Sequence, residues 1–228
     1  GAPEATVIRG RQTVVALSGS GANATLAGLT ITGGKLGILC SASNPTIRRC
    51  CVIGNAGPGI ELRDAAGPNI SHCVVADNQA EGVLTVTVEG GRGTKYGGTT
   101  LTNCTIARNG KAGVAGGKPA IANCIIYFNA VSITGTPASV TYSDIEGNWP
   151  GPGNLDDDPL FAGGDDYHLK SAAGRWNPLV KAWITDDTTS PCIDAGDPAL
   201  EVFDEPAPHG NRINLGAYGA TAEASKSP

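Results

Sequence analysis

One short pattern governs what this chain can fold into: an aliphatic residue, a cysteine three positions on, an aliphatic residue two further, and an asparagine three beyond that. It reads Ile47/Cys50/Val52/Asn55, Ile70/Cys73/Val75/Asn78, Leu101/Cys104/Ile106/Asn109 and Ile121/Cys124/Ile126/Asn129. Worn copies flank these, Leu26/Leu29/Ile31/Gly34 before and Val140/Ser143/Ile145/Asn148 after. At the cysteine position the steps are 21, 23, 31, 20 and 19 residues. A repeat of that length marks a solenoid, whose units bury their apolar faces only by stacking on one another.

Cys50 and Val52 are two apart, so a strand there turns both side chains to one face. Ile47 reaches the same interior only if the two residues between bend the chain. In several copies a glycine comes four residues beyond the asparagine (Gly59, Gly82, Gly113), followed by Ile60, Val83 or Val114. Each copy therefore reads as strand, bend, strand, turn, strand: one coil of a parallel β-helix. Helical repeats fail, because no window places apolar residues at i, i+3, i+4 and i+7. A leucine-rich repeat lacks its leucine pattern and helical back. Stacking predicts one inward column of Cys50, Cys73, Cys104 and Cys124, and a second of Asn55, Asn78, Asn109, Asn129 and Asn148. Successive amides would lie about 4.8 Å apart, and asparagine suits the turn because it tolerates left-handed backbone.

Seven cysteines suggest disulfides, but four of them share one repeat position and would stack farther apart than a disulfide prefers. They read as a buried ladder of free thiols, small apolar residues interchangeable with Leu29. Cys51 is out of phase and faces outward, as do apolar Val74 and Ile125, for which the C-terminal segment is the expected cover. One thiol per coil, without a paired C-x-x-C, disfavours zinc. Net charge is −5 with no basic stripe, which argues against nucleic acid as a partner. No apolar run is long enough to span a membrane. The opening strand-like pieces, Ala5–Ile8 and Thr13–Leu17, form an incomplete first coil with no cap before it, so another copy of the chain or a neighbouring domain is the expected partner at that end.

The outer surface carries the candidate chemistry. The two bend residues of each copy run Ala27-Gly28, Arg48-Arg49, Ser71-His72, Thr102-Asn103, Ala122-Asn123 and Thr141-Tyr142. Arg48, Arg49 and His72 would form a polar cluster on adjacent coils. Cations with a neighbouring base are what elimination from a uronic acid requires; scattered surface charge is the plainer alternative. The long step between Cys73 and Cys104 inserts Glu89–Gly98, where Arg92, Lys95 and Tyr96 could grip an anionic sugar or form a solvated glycine-rich hairpin. Asp156, Asp157 and Asp158 offer oxygen ligands for a calcium ion, though turn caps that bond backbone N–H groups are the default for such a run. No other cofactor is required.

The repeat stops at Trp149. The remainder, rich in Pro, Gly and Asp, should fold back as an irregular cap on the solenoid end. "GNLDDDPLF" (Gly153–Phe161), "DYHLKS" (Asp166–Ser171), "SPCIDAGDP" (Ser190–Pro198) and "GNRINLGAYG" (Gly210–Gly219) resemble, in that order, the C-terminal end of right-handed parallel β-helix repeat proteins. That resemblance, to bacterial secreted or surface proteins on the pectate-lyase-like scaffold, implies export and a right-handed coil. It implies no single activity, since such proteins range from pectate- or alginate-type lyases to structural modules. The expected fold is thus all-β, a right-handed parallel β-helix of about 20–23 residues per coil. Residues 1–148 form the coils, with an insertion at 89–98, and residues 149–228 an irregular cap and polar tail "TAEASKSP", a natural terminus or the start of a linker. The expected function is a non-catalytic extracellular structural or adhesive module that self-assembles end to end. The alternative is a polysaccharide-binding or lyase-like protein acting on acidic glycans.

Overall fold

The computed structural model describes residues 6–19, 23–87 and 96–228. Among these there is no helix; the repeats wind into a solenoid with three parallel faces. Sheet I holds seven strands: Thr6–Arg9, Leu29–Thr32, Cys51–Ile53, Val74–Ala76, Thr105–Ala107, Ile125–Tyr127 and Asp144–Ile145. Sheet II holds Thr13–Ser18, Leu36–Ser41, Ile60–Arg63, Val83–Thr85, Ala112–Ala115 and Val131–Thr134. Sheet III holds Thr25–Ala27, Thr46–Arg48, Asn69–Ser71, Thr100–Thr102, Ala120–Ala122 and Ser139–Thr141. Register follows the sequence template. Ile31, Val52, Val75, Ile106, Ile126 and Ile145 pair in succession along sheet I, and Leu26, Ile47, Ile70, Leu101, Ile121 and Val140 along sheet III. Together they fill the core.

Two corners per coil are made by single left-handed residues. Gly28, Arg49, His72, Asn103, Asn123 and Tyr142 turn the chain from sheet III into sheet I. Gly33, Gly54, Asp77, Arg108 and Phe128 turn it away from sheet I. The asparagines follow this second corner, so the left-handed conformation belongs to the residue before them. The asparagine itself points its amide inward. Asn55 Nδ2 donates to Asn78 Oδ1 at 2.9 Å, Asn78 Nδ2 to Asn109 Oδ1 at 3.0 Å, and Asn109 Nδ2 to Asn129 Oδ1 at 2.9 Å. Each acceptor oxygen also takes the backbone N–H of the asparagine above. The glycines four residues on make room for these amides: a Cβ on Gly59 would lie 2.8 Å from Asn78 Nδ2, and one on Gly82 2.9 Å from Asn109 Nδ2. Asn148 does not join the column. It is exposed at φ 59, and the corner above it is met by Glu146, whose Oε2 accepts from the Phe128 N–H at 2.8 Å.

The cysteine column does more than fill space. Cys124 Sγ donates toward the carbonyls of Ala122 at 3.2 Å and Leu101 at 3.4 Å, and accepts from the Cys104 N–H at 3.4 Å. Cys50, Cys73 and Cys104 make the matching bonds to their own corners. All seven cysteines are free, and burial pushes the Cys73 and Cys124 thiols well above their ordinary range. The column continues through polar residues: the Cys124 N–H donates to Ser143 Oγ at 3.0 Å, and the Ser143 N–H to Asn154 Oδ1 at 3.1 Å. A thiol, a hydroxyl and an amide thus share one task, and apolar Leu29 is not their equivalent.

Residues 149–155 close the final coil, with Trp149 against the core and Leu155 bridging Asp144. The rest of the C-terminal segment folds back as a strap along the outer side of sheet I, over the outward apolar residues expected to lie beneath it. Two antiparallel hairpins, Phe161–Gly163 with Asp166–Leu169 and Arg175–Asn177 with Ala182–Ile184, begin it. It covers outward Ile125 with Leu169, Cys192 and Leu215, and outward Val74 and Ala107 with Tyr167 and Ala217. Polar pins fix its place. The Ala217 N–H donates to Thr105 Oγ1 at 3.0 Å, the Asp197 N–H to Asn123 Oδ1 at 2.8 Å, and the Tyr167 hydroxyl to Asp77 Oδ2 at 2.7 Å. The polar tail is part of this strap. Ala224 is fully buried, Ser225 Oγ donates to the Leu169 carbonyl at 2.6 Å, and Ser227 Oγ donates to Asp194 at 2.6 Å.

Asn78→Ala is expected to cost about 3 kcal/mol, because it orphans several buried backbone and amide groups at once. Asn148→Ala, exposed but in left-handed backbone, should cost only about 1 kcal/mol. Urea denaturation of the two variants measures the difference.

Candidate functional site

The corner from sheet III to sheet I is where coil and strap part. Arg49 and His72 are the left-handed residues of adjacent corners, both at φ 51. A non-glycine residue in that conformation costs about 1 kcal/mol, and Gly28 shows that the turn itself needs no side chain. Both side chains line a cleft of about 140 Å³, which Cys51 completes on the coil side and Tyr218, Asp204 and Glu223 on the strap side. The cleft joins cationic and acidic walls over an apolar floor that includes Val74 and Ala217.

Electrostatics separates the roles of these groups. Burial, aided by the neighbouring charge of Arg49, holds His72 below the usual imidazole range, which favours the neutral ring. Arg49 is exposed and lines the cleft. Cys51 faces out of the coil, as its phase predicts, but the strap half-buries it, and burial pushes its thiol up to about 11. Tyr218 stacks on His168 with centroids 3.6 Å apart and an 18° tilt. His168 is buried in the strap strand Asp166–Leu169, where its Nδ1 lies 2.5 Å from Asp166 Oδ1.

The six candidate saccharide contacts do not form one site. Arg49 and His72 come together, whereas Arg48 is exposed and outside the cleft lining. Tyr96 stands at the opposite end of sheet III, its ring 5.8 Å from the Lys118 ammonium. Arg92 and Lys95 lie outside the described residues. Tyr218, Asp204 and Glu223 were missed by reading the sequence; the "GAYG" stretch is visible there, but nothing local ties it to coils more than a hundred residues earlier.

The three aspartates proposed for calcium act separately. Asp156 Oδ1 accepts from the Gly147 N–H at 3.2 Å, Asp158 Oδ1 from the Leu160 N–H at 2.9 Å, and Asp157 donates its own N–H to Asp144 Oδ1 at 3.1 Å. Among the described residues no three His, Cys, Asp or Glu side chains are grouped as a metal site, and no helix is long and apolar enough to cross a membrane.

Comparison with known proteins places this geometry. Residues 4–89 match the family model of a right handed beta helix region. Residues 72–196, more than half of the chain, match the family described as disaggregatase related. The chain belongs to the disaggregatase-related family. A solved structure, the crystal structure of pectate lyase Pel9A, superposes with a TM-score of 0.52 at 14% sequence identity, over 92% of this chain and 63% of that one. At that identity the likeness is one of fold, a right-handed parallel β-solenoid, and the chain spans less than two thirds of the length of that structure. No curated protein matches the sequence.

Two buried strap-side carboxyls have a measurable consequence for this disaggregatase-related chain. Burial raises Asp144, bonded to the Cys192 thiol at 3.0 Å, to about 6, and Glu205, which accepts from the Asn214 and Ala220 N–H groups, to about 7. Their ordinary values are 3.8 and 4.5. The folded state therefore binds more protons than the unfolded chain, and stability rises as pH falls from about 7 toward 4.5. Melting temperature should be higher at pH 5 than at pH 8 by roughly 5 °C. Glu205→Gln, which keeps the accepting oxygen, should flatten that dependence in a calorimetric scan.

Proposed function

We propose that this chain is an exported β-helix module that binds acidic polysaccharide, non-catalytically, through the cleft between its coils and its strap. The observation that carries this reading is the pairing of Arg49 and His72. Two side chains occupy costly left-handed positions that glycine would serve, and both face one cavity. A guanidinium matches a sugar carboxylate through paired N–H groups. Neutral His72 and Glu223 offer hydrogen-bond partners for hydroxyls, and Tyr218 an aromatic wall. The fold shared with a pectate lyase supports a polysaccharide as the partner and an extracellular setting.

The test separates binding from folding. Arg49→Gly suits the local backbone and is expected to leave the unfolding midpoint unchanged or slightly raised, while trigalacturonate affinity falls at least roughly tenfold with the loss of the charge-assisted pair. An unchanged affinity, or no binding of any uronate oligomer by the parent chain, rejects the reading.

A second reading, elimination, is favoured by neutral His72 standing beside Arg49. His72 would take the proton from the carbon next to the carboxylate, the electron pair would form the new double bond, and the glycosidic oxygen would leave and be protonated. Accumulation of an unsaturated product on incubation with polygalacturonate distinguishes a lyase from a binder. Assembly is a separate proposal. The strands Thr6–Arg9, Thr13–Ser18 and Thr25–Ala27 each pair on one side only among the described residues, and Val7 there is 49% exposed, so a further coil from a second copy can add strands. Light scattering showing a species larger than one chain, lost on Val7→Lys, is the expected result.

A further inference from the structure

We propose that His168 is the positioning residue of the cleft: an imidazolium held between Asp166 and Glu223 that carries the Tyr218–Glu223 wall and sets how firmly it closes on a ligand. This rests on the reading of the cleft as a saccharide site. His168 is fully buried, yet two cleft residues depend on its ring. Its face lies flat on Tyr218 at 3.6 Å. Its Nδ1 meets Asp166 Oδ1 at 2.5 Å, and its Nε2, which has no hydrogen-bond partner, faces Glu223 Oε2 at 3.6 Å. Behind it, Arg175 Nη1 bonds Asp166 Oδ2 at 3.1 Å, and Arg175 Nε and Nη2 hold the two oxygens of Asp186 at 3.0 and 3.2 Å. Asp166 is thereby fixed, and His168 with it.

The charge state follows from valence. A neutral imidazole carries one N–H; if Nδ1 gives it to Asp166, Nε2 turns a lone pair toward the Glu223 carboxylate. Only the protonated ring donates in both directions. The groups facing it are Asp166, with Arg175 and Asp186 behind, from the two strap hairpins; Glu223 from the tail; and the Tyr218 ring, itself in the field of Cys51 and Tyr167. Burial works against the charge, but the carboxylates of Asp166, bonded at Nδ1, and Glu223, 3.6 Å from Nε2, outweigh it and hold His168 above its ordinary 6.5. The clamp is therefore complete below pH 6.5 and is lost as pH rises through the raised value.

Trigalacturonate titration calorimetry from pH 5 to 9, with hydrogen exchange of residues 217–224, tests this on the full chain. The parent chain is expected to lose roughly tenfold in affinity as His168 deprotonates, the loss of one charge-assisted contact. His168→Gln should bind about tenfold more weakly at pH 6 with a flat profile, and its 217–224 amides should exchange faster while the coils keep their protection. Glu223→Gln, read only by the NMR titration of the His168 ring, should lower that pKa; an unchanged titration overturns the proposal even if His168→Gln fails to fold. Parental pH profile and exchange in His168→Gln overturn it as well. If the parent chain binds no uronate probe but His168→Gln still loses protection at 217–224, the clamp stands and the saccharide reading falls. If the parent binds and His168→Gln changes neither readout, the reverse holds.

Discussion

The solenoid depends on satisfying the backbone at its corners. Within each face the parallel ladders pair the strand groups of neighbouring coils, but at the corners the ladder breaks inside an apolar core, where an unmet N–H or carbonyl costs about 1–3 kcal/mol. The asparagine and cysteine columns repair it. Each side chain sends a donor to the carbonyl two residues back or to the coil before, and receives the N–H of its counterpart in the neighbouring coil. The requirement is for a short side chain with both a donor and an acceptor, which is why Ser143 and Asn154 extend the thiol column. The facing glycines are a second consequence, since any Cβ would strike the amide.

A solenoid built this way still exposes apolar side chains on its outer faces. Val74 and Ile125 point out from sheet I, and the C-terminal strap exists in structural terms to cover them. The strap has no period to match the coils, so it is tied down point by point: Asn123 and Thr105 receive its backbone, Asp77 its Tyr167 hydroxyl, and the tail serines close it on itself. Where it diverges from the sheet III corner it leaves the cleft. The cleft is thus lined half by the repeat and half by the cover.

Much of the coil side could be read from residue order. Arg49 and His72 stand at the second bend position of their copies, which a β-coil must turn outward, and that is where they lie. Arg48, one residue earlier, ends a strand and points elsewhere, a distinction the two-residue bend does not reveal. The aspartate run was legible as turn-capping chemistry, and three carboxylates on consecutive residues diverge because successive backbone groups do. The end of the repeat was harder to see. Asn154 fills the column only eleven residues after Ser143, too short a step for a search at the coil period.

The sequence by itself determined the coil: its length, its inward columns, the free thiols, and the outward phase of Cys51, Val74 and Ile125. These follow from periodicity, because each repeat meets its neighbour at the same positions and the pattern survives in one dimension. Only the tertiary structure decided which strap residues cover Val74 and Ile125, that the tail is buried in the strap, and that Tyr218 and Glu223 meet Arg49 and His72 with His168 behind them. Those contacts join residues such as Ala217 and Thr105, 112 positions apart, through single hydrogen bonds and one-off packing. An interaction made once, between aperiodic segments, leaves no spacing in the chain from which it could be read.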